Sequence, residues 1–291
     1  NSLELFQTQK FYQIHISILK DLGYDVLLSN RIFDSLLFWK YDIVFSYFYR
    51  YSFFAALLAK CFGKKTYFTG GIDSLDSDYA SAFNYQIQAL FFKLCYWVAD
   101  SCIIVSQSDL KNIFKVSSLK KKLSYSEHVS NTKLFIADVP KEKIFTSIVW
   151  MGDEGNVVRK GVDKALQIFA ELKKIPEFVD YRFVIIGRKG EGEALVRSII
   201  DKYNLKGSVE LKGEVSEEDK INLLKQSKYY FQLSLYEGFG LAALEALCAN
   251  NIIIHSGKGG LANPIYKEQL LFDIDNGFDS EMIKLVNKLA C

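Results

Sequence analysis

The stretch from Tyr229 to Cys248 constrains this chain more than any other. Tyr229-Tyr230-Phe231-Gln232-Leu233-Ser234 reads as a buried strand, and Leu241 to Cys248 reads as a helix of strong formers. Gly238 and Gly240 fall where one hands over to the other. The free N–H groups and positive dipole end of such a helix attract phosphate, and glycines let the phosphate approach the backbone. Glu237 stands at the mouth of the turn and Glu245 about two turns in, roughly 10 Å along the axis. That span suits a nucleotide sugar, with a diphosphate over the helix end, the sugar beside Glu237 and the ribose hydroxyls against Glu245, because carboxylates accept hydroxyl donors well. The plainer alternative is an exposed Glu245 and a Glu237 that merely complements the dipole.

Helix and strand patterns alternate through the rest of the chain, which predicts parallel sheets with crossover helices. In the first half, a helix over Phe11 to Leu22 ends at Gly23, and strands are expected at Tyr24 to Ser29, Tyr41 to Ser46, Lys65 to Thr69 and Ser101 to Ser106. Helices are expected over Ser52 to Cys61 and Tyr85 to Ala99, with Ser106 or Ser108 capping a short one through Phe114. In the second half, strands at Thr146 to Met151, Tyr181 to Ile186, Ser208 to Leu211 and Asn251 to His255 alternate with helices at Val162 to Lys174, Glu193 to Tyr203 and Glu217 to Gln226. The patterns lapse from Leu134 to Lys143 around Pro140, the expected connector. A chain of 291 residues holds two α/β units of roughly 150 residues each.

Charge and cysteine usage exclude more than they suggest. A net charge of +2 and a pI near 8.1 are no nucleic-acid signature. The five cysteines are odd in number, form no CxxC pair and read as reduced core thiols of a cytoplasmic protein. His15, His128 and His255 lack the spacing of a zinc site, so no metal is predicted from them. The amino end shows no signal peptide pattern, and Lys40, Asp42, Arg50 and Lys60 interrupt the apolar stretch from Leu36 to Phe62. Two readings stand for the aromatic first half with its basic run Leu119-Lys120-Lys121-Lys122-Leu123: peripheral membrane contact, or a solvated lysine turn over an aromatic core.

The Glu-x7-Glu segment, with its two glycines and the aromatic between them, resembles the signature of retaining glycosyltransferases of the GT-B fold, particularly family 4 of that classification. Other blocks follow in the family's order: Val105-Ser106-Gln107-Ser108-Asp109-Leu110, Asn131-Thr132-Lys133-Leu134-Phe135, Arg159-Lys160-Gly161-Val162-Asp163, Val184-Ile185-Ile186-Gly187, Val209 to Val215 and Ser256-Gly257-Lys258-Gly259-Gly260. The resemblance implies an α/β, GT-B architecture of two Rossmann-like parallel-sheet lobes facing a cleft. Residues 1–138 would be the acceptor-side lobe, lacking its first strand, and residues 139–291 the nucleotide-sugar lobe. It implies transfer of a hexosyl unit from a nucleoside diphosphate sugar to an acceptor hydroxyl on a glycan, glycolipid or glycoprotein, in surface polysaccharide or glycoconjugate biosynthesis. No cofactor is obligatory, because a cation and a helix dipole replace a metal. An epimerase or phosphorylase of the same fold, and a non-catalytic sugar-nucleotide or glycan-binding protein, are the alternatives.

The residues that the resemblance assigns to catalysis are Glu237, Lys160 and Asp73. Donor binding falls to Gly152, Arg159, Lys160, Gly187, Arg188, Val215, Glu237, Gly238, Phe239, Gly240, Leu241 and Glu245. Lys160, a point cation beside the diphosphate, would stabilise the charge growing on the departing nucleotide. The chain departs from the family in two places: Gly152-Asp153-Glu154 stands where an arginine is usual, and Gly70 of Thr69-Gly70-Gly71-Ile72-Asp73 where a histidine often sits. Arg159 or Arg188 would then serve the phosphates. Asp73 would orient an acceptor hydroxyl or the donor sugar, or simply cap its turn. The family's opening strand is not found ahead of Phe11, and its closing helix, over Glu281 to Leu289, is short, so the sequence is expected to be incomplete.

Overall fold

The computed structural model describes residues 2–70, 75–77, 80–128, 132–136 and 139–290. The chain divides into two compact units, Asn1–Ser130 and Asn131–Cys291.

The first unit opens with helices α1 (Ser2–Thr8) and α2 (Lys10–Asp21). It then alternates β1 (Ile43–Tyr47), α3 (Tyr49–Cys61), β2 (Lys65–Thr69), α4 (Ala82–Val98), β3 (Ser101–Ile104), α5 (Gln107–Val116) and β4 (Leu123–Tyr125). The four strands pair in parallel in chain order. Tyr49, Phe53, Phe68, Phe92, Cys95 and Cys102 fill the core between the sheet and its helices. Ser106 caps α5, its Oγ accepting from the Asp109 N–H at 3.1 Å.

The strand expected over Tyr24 to Ser29 does not form. These residues are irregular, and Tyr24, Leu27 and Leu28 are exposed. An apolar run becomes a strand only where a neighbour takes up its N–H and C=O groups, and among the described residues β1 is paired with β2 alone. Among the cysteines, Cys95 and Cys102 are core thiols, with burial pushing Cys102 up to about 12, whereas Cys61 is exposed, against expectation, where α3 ends at the surface.

The second unit runs β5 (Glu142–Ile148), α6 (Glu154–Arg159), α7 (Val162–Leu172), β6 (Arg182–Ile186), α8 (Glu193–Lys202), β7 (Val209–Gly213), α9 (Glu217–Gln226), β8 (Ser227–Gln232), α10 (Leu241–Cys248), β9 (Ile252–His255), β10 (Leu270–Leu271) and α11 (Phe278–Ala290). Its six parallel strands lie in the order β10-β9-β8-β5-β6-β7. After β5 the chain builds outward through β6 and β7, then returns to the other side of β5 for β8, β9 and β10. The order therefore reverses between β5 and β8.

Side-chain alternation divides the faces of this sheet. Phe145 of β5 stacks on Tyr229 and Phe231 of β8, at 4.6 and 5.1 Å between ring centroids, and heads the core shared with Leu166, Phe169, Val196 and Leu285. Tyr230 and Leu224 take the other face with Ala243 and Ala246 of α10 and with Phe135, a residue of the expected connector stretch. Polar groups of these strands are bonded in turn: Thr146 Oγ1 lies 2.5 Å from Ser227 Oγ, and Ser147 Oγ donates to the Phe231 carbonyl at 2.8 Å. β5 begins four residues earlier than expected, and residues 149–151 have left the β5–β8 ladder. There Val149 N–H donates to the Ile186 carbonyl and Met151 N–H to that of Arg188, both at 2.9 Å.

Candidate functional site

In open parallel sheets, ligands bind outside the carboxyl ends of the strands where the strand order reverses. In the second unit that place lies between the loops after β5 and after β8.

The loop after β8 spans residues 233–240 and ends in Gly240, which precedes the first turn of α10 with φ 86°. Two neighbouring loops pack against it. On one side, the Leu235 N–H donates to the Arg159 carbonyl at 2.8 Å. Gly161 follows with φ 69°, so close that a Cβ there would stand 2.1 Å from the Leu233 carbonyl oxygen. On the other side, Gly259, with φ 60°, would set a Cβ 2.1 Å from the Glu237 carbonyl oxygen, and the Gly260 N–H donates to that same oxygen at 2.6 Å. Ser256 Oγ adds a 2.6 Å bond to the Ser234 carbonyl. Only residues without a side chain allow such approaches.

This packing joins Lys160 to Glu237 across 77 residues of sequence: Lys160 Nζ lies 2.5 Å from Glu237 Oε1. Both side chains remain partly accessible, at 23% and 12%. Gly238 is exposed beside them, Phe239 is buried, and Leu241 begins α10 partly buried. A cation, a carboxylate and a helix N-terminus thus share one corner of the unit.

Glu245 sits otherwise than an exposed helix residue would. It is 2% exposed, and its Oε2 receives Lys220 Nζ at 2.8 Å, a lysine that also reaches Glu217 at 2.9 Å. The two glutamates of the signature therefore keep separate cations, Lys160 for one and Lys220 for the other. Arg159 closes α6, with Nη2 donating to Asn156 Oδ1 at 2.9 Å. Gly152 lies against the Trp150 ring, and its carbonyl accepts from the Glu191 N–H at 3.1 Å. Gly187, after β6, passes against the Val149 carbonyl. Arg188 is exposed, and Val215 packs on the apolar cluster of Ile144, Val184, Ile186 and Leu223. No hydrogen bond or ion pair among the described residues ties Arg188 or Val215 to the Lys160–Glu237 pair. Asp73 lies outside the described residues.

After Gly152, where the resembled family usually has an arginine, Asp153 serves the fold, its carboxylate capping α6 by accepting from the Asn156 N–H at 2.6 Å. Sequence reading missed Gln232, Ser234 and Lys220. The first two carried a signal, a glutamine and a serine at the end of an otherwise apolar and aromatic strand run. Lys220 carried none, since one lysine on a polar helix resembles any other. His255, at the end of β9, is buried, and burial holds its pKa down to about 4, so the ring is neutral near pH 7. Among the described residues no group of three or more His, Cys, Asp or Glu side chains could hold a metal ion.

The family model described as glycosyl transferases group 1 matches residues 155–287. A GDP-mannose:cellobiosyl-diphosphopolyprenol alpha-mannosyltransferase of Xanthomonas oryzae pv. oryzae is 36% identical over 101 residues, which is 34% of this chain and 26% of that protein. A subunit of the human phosphatidylinositol N-acetylglucosaminyltransferase is 30% identical over 105 residues, 36% of this chain and 21% of that protein. The matches thus span only about a quarter of these relatives. Among solved structures, Anabaena HepE in complex with UDP and glucose is similar with a TM-score of 0.69 at 13% identity, covering 94% of this chain and 78% of that one. Sucrose-phosphate synthase of Thermosynechococcus elongatus gives 0.66 at 18% identity, covering 98% and 70%. The fold is GT-B, α/β with two parallel-sheet units, and the segment that matches the family model lies within the second unit.

Proposed function

We propose that this protein is a retaining hexosyltransferase that takes its sugar from a nucleoside diphosphate donor bound by the second unit. The observation that carries the reading is the meeting of Lys160 and Glu237 at 2.5 Å beside the N-terminus of α10, where the strand order reverses. A diphosphate over that helix end would take Lys160 as its counter-charge, leaving Glu237 to accept hydroxyls of the transferring sugar. Glu245, with Lys220 beside it, would take the ribose, and Gly238, Phe239, Gly240 and Leu241 would line the phosphates. Gly152, Gly187 and Val215 would border the nucleotide, with Arg159 or Arg188 in place of the missing arginine. Asp73 would serve the acceptor or the donor sugar. Cation and helix end supply the positive charge that the leaving group needs.

Thermal stabilisation by a series of nucleotide sugars tests the donor, since a ligand at 100 times its dissociation constant adds about 2.7 kcal/mol to folding. Release of free nucleoside diphosphate only when an acceptor is present then tests transfer. A protein that binds donor but never releases it in this way would be a sugar-nucleotide-binding protein, the second reading, favoured by the capping role of Asp153.

Glu245→Gln is expected to weaken free nucleoside diphosphate more than Glu237→Gln does. Neutralising Glu245 both removes a ribose acceptor and leaves Lys220 without its buried counter-charge. Calorimetric titration of both variants checks this, and equal losses would remove the ribose assignment.

We further propose a lipid- or glycan-linked acceptor for a cytoplasmic enzyme in surface polysaccharide or glycoconjugate assembly, with peripheral membrane contact through the first unit. No helix among the described residues is long and apolar enough to cross a membrane. Exposed Trp97, Phe114 and Leu119 stand among Lys115, Lys120, Lys121 and Lys122, with Lys120 Nζ 4.6 Å from the Phe114 ring centroid and Lys122 bonded to the Trp97 carbonyl at 3.0 Å. Apolar rings within a lysine cluster suit an anionic lipid surface. The chain should sediment with vesicles containing phosphatidylserine and not with phosphatidylcholine alone, and Trp97→Ser with Lys120→Gln and Lys121→Gln should abolish the difference. Equal recovery with both vesicles would sink the membrane reading.

A further inference from the structure

Three donors converge on one oxygen of Glu237. Lys160 Nζ stands 2.5 Å from Oε1, Ser234 Oγ 2.7 Å and Gln232 Nε2 2.8 Å, and in the described structure every partner of this carboxylate falls on that oxygen. Gln232 is itself held at both ends. Its Oε1 accepts from the Tyr230 hydroxyl at 3.1 Å, and its Nε2 also reaches Ser234 Oγ at 2.9 Å. The Tyr230 oxygen accepts in turn from the Ile148 N–H at 3.3 Å, and Tyr230 is fully buried between sheet and helix. The direction of the amide follows, because a flipped Gln232 would turn its carbonyl oxygen onto a carboxylate and its NH2 onto a hydroxyl that already has a donor.

We propose that Tyr230, Gln232 and Ser234 are positioning residues that tie Oε1 of Glu237 to the end of β8 and so turn Oε2 toward the ligand. An apolar residue at 232 would pack the strand end as well, yet a glutamine 5% exposed with both ends bonded fixes a direction. Glutamate has three rotatable bonds, and holding it before the ligand arrives removes an ordering cost from the binding step. This inference rests on the sugar-binding reading above, and its test separates the two.

The test uses the full chain with Gln232→Met, which keeps length and loses the bonds, and Gln232→Glu, which sets a second carboxylate beside the first. In a crystal structure of Gln232→Met without ligand, the Glu237 carboxylate should leave Ser234 while the backbone of 234–240 stays in place. By calorimetry, its affinity for UDP-glucose or GDP-mannose, whichever the native chain binds, should fall about tenfold, with UDP or GDP within twofold of native. Gln232→Glu should bind the sugar nucleotide as poorly as Gln232→Met at pH 8 and recover toward native as pH falls to 5.5, because the protonated side chain then donates as the amide does. Gln232→Met should show no recovery. A Glu237 that stays on Ser234 in Gln232→Met, equal weakening of sugar nucleotide and free nucleotide, or no pH rescue would each overturn the positioning role. A native chain that binds none of the four ligands would overturn the functional reading instead, and the position of Glu237 in the Gln232→Met crystal would still decide this one.

Discussion

Lys160→Ala is expected to lower the turnover number about 100-fold or more while moving the donor KM less. Charge on the leaving diphosphate grows as the glycosidic bond breaks, so a cation beside it contributes more in the transition state than in the ground state, and uniform binding would not accelerate the chemistry. Loss of one preorganised electrostatic donor costs roughly 2.7 to 4 kcal/mol, which is the factor expected. The ion pair sharpens this. With Lys160 gone, Glu237 Oε1 keeps only the neutral donors Gln232 and Ser234, and its negative charge then faces the diphosphate without its counter-charge. Steady-state kinetics with varied donor separates the two parameters. A variant that keeps its turnover number and merely needs more donor would make Lys160 a binding residue and send the search for the catalytic cation to Arg159 or Arg188.

The second large effect is expected from Gly161→Ala, a change of one methyl group. At φ 69° the left-handed conformation costs an L-residue about 1 to 2 kcal/mol. The added Cβ would also meet the Leu233 carbonyl oxygen at 2.1 Å, an overpacking that typically costs about 1 to 3 kcal/mol more. A loss of about 2 to 5 kcal/mol should therefore appear as a lower denaturation midpoint. The loop can yield only by moving away from Leu233, which carries Lys160 off Glu237, so donor affinity should fall along with stability. Gly238→Ala is the control: a Cβ there meets nothing within 4 Å, and its stability should stay within about 0.5 kcal/mol of native. Matching midpoints for the two variants would show that the contact of the two loops does not depend on glycine.

Much of the second unit was legible because local and tertiary signals agree there. Glu217–Gln226 and Leu241–Cys248 are helices at the expected bounds, the first capped by Ser216 and opened by Glu217, Glu218 and Asp219, all readable from adjacent residues. Tyr24 to Ser29 misled for the complementary reason. Its apolar run has strand character, but pairing is a property of a neighbour, and no local pattern supplies one. The helix Glu154–Arg159 is not legible in the sequence because it is only six residues long and its cap, Asp153, stands where the family pattern has an arginine. Gln232 is a polar residue closing an apolar run, a signal of burial that is correct for the residue and silent about what its amide bonds.

By itself, the sequence determined the alternation of strands and helices, the glycine turn ahead of a short helix, and the residue types able to meet a phosphorylated sugar: Lys160, Glu237 and Glu245. The alternation and the turn are consequences of backbone propensity and periodicity, which act over a few residues, and the three side chains stand out through the resemblance to a family signature. Only the tertiary structure decided which of them meet. The reversal of strand order between β5 and β8 sets two loops side by side, Gly161 and Gly259 let their backbones approach the 233–240 loop, and Lys160 arrives at Glu237 while Glu245 is claimed by Lys220. Strand order is settled by packing among segments tens of residues apart, where hydrophobic burial is non-directional and local sequence carries no address.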